Sequence, residues 1–272
     1  MKQLGRLLHP TDLSVTSEAA FRHALRIALA AGARLRILHV AADIEGVHRE
    51  DFPGVRDTLA RWGVIPEGSP AERVADTGMD VKKIKIAGAD PVAAIADILA
   101  RRPVDLIVLA THRLQRRGRP VAESMARRSP VPALFVPEGV AGFVDAQSGE
   151  VQLRNVLICV DHDPDPRTAV QAASTILDTL NVPDAAVTLL YAGEEGAMPE
   201  LAAPATDGRR WETRCRPGDA IEEILGCARE LCADLIVMTT RGHVGFMDAL
   251  RGSTTERVLR RAECPLLAVP AV

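Results

Sequence analysis

The chain lacks the features that would place it in a membrane, on a nucleic acid or outside the cell. Nowhere do the roughly eighteen apolar residues that read as a spanning helix run together. The opening Met1–Pro10 (MKQLGRLLHP) has no long apolar stretch of the signal-peptide kind. Neither export nor membrane attachment is expected. Its 33 basic and 36 acidic side chains leave a formal charge of -3, without the broad positive field that holds a phosphate backbone, so nucleic acid is not an expected partner. The five cysteines (Cys159, Cys215, Cys227, Cys232 and Cys264) are odd in number and contain no Cys-x-x-Cys pair. Reduced thiols and a cytoplasmic location follow as expectations. Cys159 and Cys264 lie in or beside predicted buried strands, while Cys227 and Cys232 share a predicted helix at a spacing that does not face them together, so no redox role is assigned. Gly-x-x-x-x-Gly-Lys-Ser/Thr and a strand-following Gly-x-Gly-x-x-Gly are both absent, which excludes a P-loop NTPase and the usual dinucleotide fingerprint.

What is present is a duplication. Asp234–Gly242 reads DLIVMTTRG, Gly252–Glu256 reads GSTTE, and Cys264–Val269 reads CPLLAV. The first half offers Asp105–Arg113 as DLIVLATHR and Val131–Val136 as VPALFV. Its strands survive, but its loop has become Arg113–Pro120, RLQRRGRP. Aligning Glu123 with Glu256 makes that first loop shorter. A length of 272 residues suits two domains of roughly 130 each, divided here as 1–141 and 142–272.

Each half opens with a strand, a helix and a second strand. In the first, Leu7–Asp12 leads to Phe21, Ala24, Leu25 and Ala28 at helical spacing and then to Leu35–Val40. In the second, Val156–Asp161 leads to Val170, Ala173, Leu177 and Leu180 and then to Val187–Ala192, with Asp12 and Asp161 at matching places. Third strands are expected around Val81–Ile86 and Trp211–Cys215. Helices opened by Asp90 and Asp219 follow, the latter with Glu222 at capping-box spacing. An additional helix is expected near Val55–Trp62 and an irregular loop over 193–210. The join from Pro137 to Leu153 is expected to hold two short extended pieces about a Ser-Gly turn, the pattern of a hairpin. Alternating strands and helices with nearly all-apolar strands imply an α/β fold, a parallel sheet covered on both faces. Ligands of such folds bind at the strand ends along one edge.

Gly242 after a buried strand, and Gly252, Ser253 and Thr254 at a helix start, can present backbone N–H groups and hydroxyls to an anion, for which phosphate is the natural occupant. An equally good reading of these residues alone makes Ser253 the cap of its own helix, with Glu256 completing a capping box. Neither a lysine nor a clear pair of metal-holding carboxylates accompanies the loop, so binding is expected rather than turnover, and the chain is not expected to be an enzyme. His9, His39 and His112 fall toward one edge of the first sheet with His48 in the following loop. A metal cluster there is weighed against the commoner role of strand-end histidines as hydrogen-bonded structural residues.

The pattern Thr239-x-x-Gly242, nine residues, Gly252-Ser253, together with the duplicated strands, resembles the universal stress protein family in a tandem two-domain form, over nearly the whole chain. The resemblance implies two Rossmann-like, doubly wound, five-stranded parallel sheets related by a pseudo-twofold axis, with the final strands pairing between domains. It also implies ATP, with or without Mg, at the strand ends of the second. Carried over to this sequence, Asp161 would meet the nucleoside, and Ala192, Val160 and Met238 would lie near the base. The phosphates would fall to Thr239, Gly242, Gly252, Ser253 and Thr254. Thr239 departs from the family's glycine. In the first half Arg113 stands for Gly242, and Arg119 with Pro120 for the glycine and serine, so no phosphate grip of the family type is expected there. Arg113, Arg116, Arg117 and Arg119 read instead as a solvated basic loop or a side-chain anion site. The function implied is a stress-response protein that binds an adenine nucleotide and acts as a regulatory module, through an internal domain pair or a homodimer and through unidentified protein partners. The alternatives are a non-nucleotide scaffold and a slow ATPase.

Overall fold

The computed structural model describes residues 4–111, 121, 125, 129–201, 208–241 and 254–271. Ten strands among them join into one sheet: β1 (Arg6–Pro10), β2 (Arg34–Ala41), β3 (Asp80–Ala87), β4 (Leu106–Thr111), β5 (Ala133–Pro137), β6 (Asn155–Val160), β7 (Ala186–Tyr191), β8 (Arg210–Cys215), β9 (Leu235–Thr240) and β10 (Leu266–Pro270). Their order is β3-β2-β1-β4-β5-β10-β9-β6-β7-β8, so each half repeats one five-stranded parallel order, reversed about the centre. The halves meet where β5 and β10 pair antiparallel, Phe135 facing Leu266 and Ala133 facing Ala268. This is the doubly wound tandem architecture, with its final strands joined as expected.

The helices are α1 (Glu18–Ala31), α2 (Val55–Arg61), α3 (Pro91–Arg101), α4 (Arg167–Thr179), α5 (Ala220–Glu230) and α6 (Thr254–Arg261). Because successive strand residues point to opposite faces, Leu7 and Leu8 enter two different cores. One core, under α1 and α4, runs across both halves from Leu7, Leu25 and Leu35 to Val156, Leu177 and Leu267. The other, under α3, α5 and α6, joins Leu8, Ile95 and Phe135 to Leu225, Ile236 and Leu259. Both faces of the sheet's inner strands are therefore covered, which accounts for their near-absence of polar alternation, while the edge strands β3 and β8 stay partly exposed.

Local signals place the elements. Asp90 caps α3 by accepting from Val92 and Ala93 N–H at 2.9 and 3.2 Å, and Asp219 caps α5 by accepting from Ile221 and Glu222 N–H at 3.0 and 3.2 Å. The box expected at Glu222 is not closed, because its carboxylate pairs instead with Arg261 of α6 at 2.5 and 2.9 Å. Cys232 lies outside α5, just past its end, in the left-handed region at φ 47°. The insert between β2 and β3 is fastened to the sheet edge by lysines of β3. Lys83 donates to the Arg49 carbonyl at 3.2 Å, and Lys85 to those of Ile44 and Val47 at 3.2 and 2.8 Å. After β5 the chain forms the expected hairpin, with Val144 opposite Val151 and the Asp145 N–H on the Glu150 carbonyl at 2.9 Å.

Candidate functional site

The strand registers place a crevice in the second half. β6 stays paired with β7 to its last residue, Val160 facing Tyr191, and β9 stays with β10 as far as Thr240 facing Pro270. Yet β6 and β9 part after Cys159 faces Met238. Val160 and Asp161 thus leave on one wall, Thr239 and Thr240 on the other. This is the topological switch point of an open parallel sheet, at the carboxyl ends of its strands, where the winding direction changes and ligands bind.

Of the residues expected from sequence, the structure brings Val160, Asp161, Ala192, Met238 and Thr239 to this one edge. Val160 and Met238 are buried, one in each of the two cores, while Asp161 is exposed. Thr254 begins α6. Gly242, Gly252 and Ser253 lie outside the described residues. Asp161 Oδ1 accepts the neighbouring His162 N–H at 2.7 Å, and within the described residues its other oxygen takes no hydrogen bond. The His162 ring is turned away, bonded through Nε2 to the Ala197 carbonyl at 2.7 Å and standing edge-on to Tyr191 at 5.8 Å between centroids.

The substitution of threonine for glycine at 239 has a visible consequence. Thr239 Oγ1 lies 3.3 Å from Thr168 Oγ1 at the start of α4 and 3.4 Å from the Asp165 carbonyl. Beside it Arg241 donates to the Asp163 carbonyl at 3.2 Å and pairs with the Asp163 carboxylate at 3.3 Å. The loops leaving β6 and β9 are therefore tied together by Arg241 and by a Thr239 hydroxyl that glycine could not supply. Arg167 pairs with Asp165 at 2.6 Å, and that bond holds the Asp165 carboxyl below its ordinary range. Sequence reading missed Thr168, Asp163, Asp165 and Arg241. The acidic cluster after Val160 was its available signal.

At the same edge of the first half the matching aspartate is exposed but engaged by its own loop. Asp12, which matches Asp161, accepts through one oxygen from Ser14 N–H at 3.0 Å, Ser14 Oγ at 2.5 Å and Ser17 Oγ at 2.8 Å. β1 and β4 separate early, after Leu8 faces Ile107. Continuing that register, the amide at position 10 is the one that would reach the Val108 carbonyl, just as the Ile107 amide, facing Ala133, reaches the Pro132 carbonyl. Pro10 has no N–H to give. His9 replaces it, its Nδ1 bonding Val108 O at 2.8 Å, which makes Nδ1 the protonated nitrogen. Burial, opposed by that bond and by Asp12, lowers the His9 pKa to about 4.

His39 is likewise committed, with Nδ1 on the Thr11 carbonyl at 2.9 Å. Among the described residues no group of three or more His, Cys, Asp or Glu is placed to hold a metal ion. His112 and the arginine loop Arg113, Arg116, Arg117 and Arg119 lie outside the described residues. Burial raises the thiol pKa of Cys159, Cys227 and Cys264, the last to about 12, as expected of cysteines packed as small apolar groups. Among the described residues no helix is long and apolar enough to cross a membrane.

A sequence model described as the universal stress protein family matches residues 4–137 and 197–270. The second segment begins after β7, so Asp161 and Ala192 are equated with their first-half counterparts by strand order rather than by that match. A universal stress protein of Methanocaldococcus jannaschii is 42% identical over 62 residues, which is 23% of this chain and 36% of that relative, so the chain covers about a third of the relative's length. Among solved structures, a universal stress protein from Archaeoglobus fulgidus superposes with a TM-score of 0.67 at 21% identity, covering 99% of this chain and 97% of that one. A Pseudomonas aeruginosa protein described as functionally unknown gives 0.63 at 18% identity, covering 99% and 94%. At these identities the structural likeness speaks for the fold.

Proposed function

The chain belongs to the universal stress protein family, a stress-related family, and on that premise we propose that its second half binds one molecule of ATP while its first half does not. The chain would then act in the cytoplasm as a regulatory binding module rather than an enzyme. What supports this reading is the contrast between two matched aspartates. Both are exposed, but Asp161, at the parting of β6 and β9, accepts only the adjacent His162 N–H among the described residues, whereas Asp12 accepts from Ser14 and Ser17.

The nucleoside would lie against Asp161, with the base toward Val160, Ala192 and Met238. The phosphates would pass Thr239 toward Gly242, Gly252, Ser253 and Thr254, where amides at the start of a helix favour negative charge. Asp163 and Asp165 already occupy Arg241 and Arg167, so the triphosphate arrives beside acids. A magnesium ion carried on the phosphates would soften that meeting. Binding would change the surface at the crevice and so the population of protein partners engaged, a second copy of the chain included.

Incubation with Mg-ATP, removal of free nucleotide, acid release and chromatography test this directly. The expected result is a single equivalent of intact ATP, lost in Gly252→Val. No uptake at millimolar ligand leaves the scaffold reading. Steady conversion to ADP that disappears in Asp161→Ala makes the protein a slow ATPase.

A further inference from the structure

Three arginines gather around the hairpin that links the halves. Arg22 and Arg26 are one turn apart on α1 and so share a face, and Arg61 ends α2. Arg26 Nε donates to the Gly149 carbonyl at 3.0 Å. Arg61 Nη1 and Trp62 Nε1 both donate to the Ala146 carbonyl, at 3.3 and 3.4 Å. The hairpin sits so close that a Cβ on Gly149, at φ +69°, would come within 2.5 Å of the Trp62 ring. Fastening the hairpin accounts for Arg26 and Arg61. It does not account for Arg22.

The Arg22 side chain is only 15% exposed, and its one ion-pair contact among the described residues is a long one, 3.8 Å to Glu18, whose own side chain is 61% exposed. Its Nε is buried with no hydrogen-bond partner. Burial pulls the Arg22 pKa below the ordinary arginine value, Glu18 opposes this, Arg61 adds repulsion, and Asp145 opposes again. Asp145 makes no ion pair with Arg22. One of its oxygens accepts from Gln147 N–H, Ser148 N–H and Ser148 Oγ at 2.8, 2.8 and 3.0 Å. A guanidinium held in a half-dry site beside another of like charge is costly without hydrogen-bonded compensation. A buried donor left over in a folded protein points to a missing partner.

We propose that Arg22, Arg26 and Arg61 form a second ligand site, for a tetrahedral oxyanion, inorganic phosphate or the phosphate of a phosphomonoester, seated between α1, α2 and the linker hairpin. Each guanidinium has five N–H donors in a planar fork suited to phosphate oxygens. Arg26 and Arg61 spend one apiece on hairpin carbonyls and keep the rest. The anion supplies Arg22 with its partner, relieves the repulsion from Arg61, and clamps the hairpin that leads into the second half onto the first. The site shares no residue with the strand-end crevice.

The test uses the full chain carrying Trp211→Phe, which leaves Trp62 as the only tryptophan. Thermal unfolding is followed by its fluorescence across a titration of inorganic phosphate, with sodium chloride at matched ionic strength as reference. A saturable rise in midpoint on the order of a few degrees beyond chloride is expected. It should vanish in Arg22→Met, which keeps an unliganded midpoint equal to or above that of the parent, and should weaken in Arg61→Met. Gly252→Val, which removes the phosphate end of the strand-end crevice, retains the rise, so this proposal and the nucleotide reading stand or fall separately. A larger rise with glycerol 3-phosphate assigns the monoester; a rise with phosphate alone assigns the free anion. No rise beyond chloride with either probe, or an undiminished rise in Arg22→Met, overturns the site.

Discussion

Single residues set how the strand ends of the two halves differ. Pro10 removes one ladder amide, His9 takes over the orphaned carbonyl, and β1 parts from β4 earlier than β6 parts from β9. Replacing His9 by Leu should cost about 1–3 kcal/mol in urea unfolding, because the buried Val108 carbonyl then has no donor. His23 is a second buried imidazole. Its Nδ1 bonds the Ala19 carbonyl at 2.7 Å, its Nε2 accepts the Phe143 N–H at 3.0 Å, and burial lowers its pKa to about 4 from 6.5. The linkage sign is set by the unfolded chain, which takes up protons at both histidines below about pH 6.5 while the folded chain does not until about pH 4. Stability should therefore fall as pH drops through that window, by up to about 1.4 kcal/mol per pH unit for each histidine. Denaturant midpoints at pH 7 and pH 5 check this. His23→Gln, which keeps an acceptor for Phe143, should flatten the dependence by one proton's share, and an unchanged slope would contradict the assignment.

At the level of elements, most of the architecture was legible because local signals agreed with one another. Apolar strands, Asp90 and Asp219 at helix starts, and glycine-marked turns each named their element, and the Ser-Gly turn at 148–149 announced the hairpin. Less legible was anything that depends on a partner distant in sequence. Glu222 had the spacing of a capping box, but Arg261 of α6 offers it a charged partner and wins. Asp219→Ala should accordingly destabilise by about 1 kcal/mol in a thermal melt, the usual cost of a lost N-cap, with Glu222→Ala costing less. The crevice walls show the same division. Asp161 and Ala192 could be placed by analogy of strands, whereas the ties from Thr239 to Thr168 and from Arg241 to Asp163 join positions some seventy residues apart. No spacing rule reveals such ties. The glycine loop itself, Gly242 to Ser253, lies outside the described residues.

As a whole the molecule is one sheet with two cores, each of which crosses from one half to the other. The junction is built closely. Gly142 adopts φ +74°, and a Cβ there would come within 2.3 Å of the His23 ring. Gly142→Ala should lower stability by about 1–3 kcal/mol through left-handed strain and that collision. Because the cores are shared, Trp62 in the first half and Trp211 in the second should report a single coincident transition in this variant and in the parent. Two separated transitions would mean that the halves fold independently despite the β5–β10 pairing.

If the duplicated fold binds nucleotide in its second half alone, calorimetric titration of Mg-ATP into the parent, Asp161→Ala and Asp12→Ala proteins will show it. One site per chain is predicted, abolished by Asp161→Ala and retained by Asp12→Ala. Binding that survives loss of Asp161 but disappears with Asp12, or two sites in the parent, would contradict it.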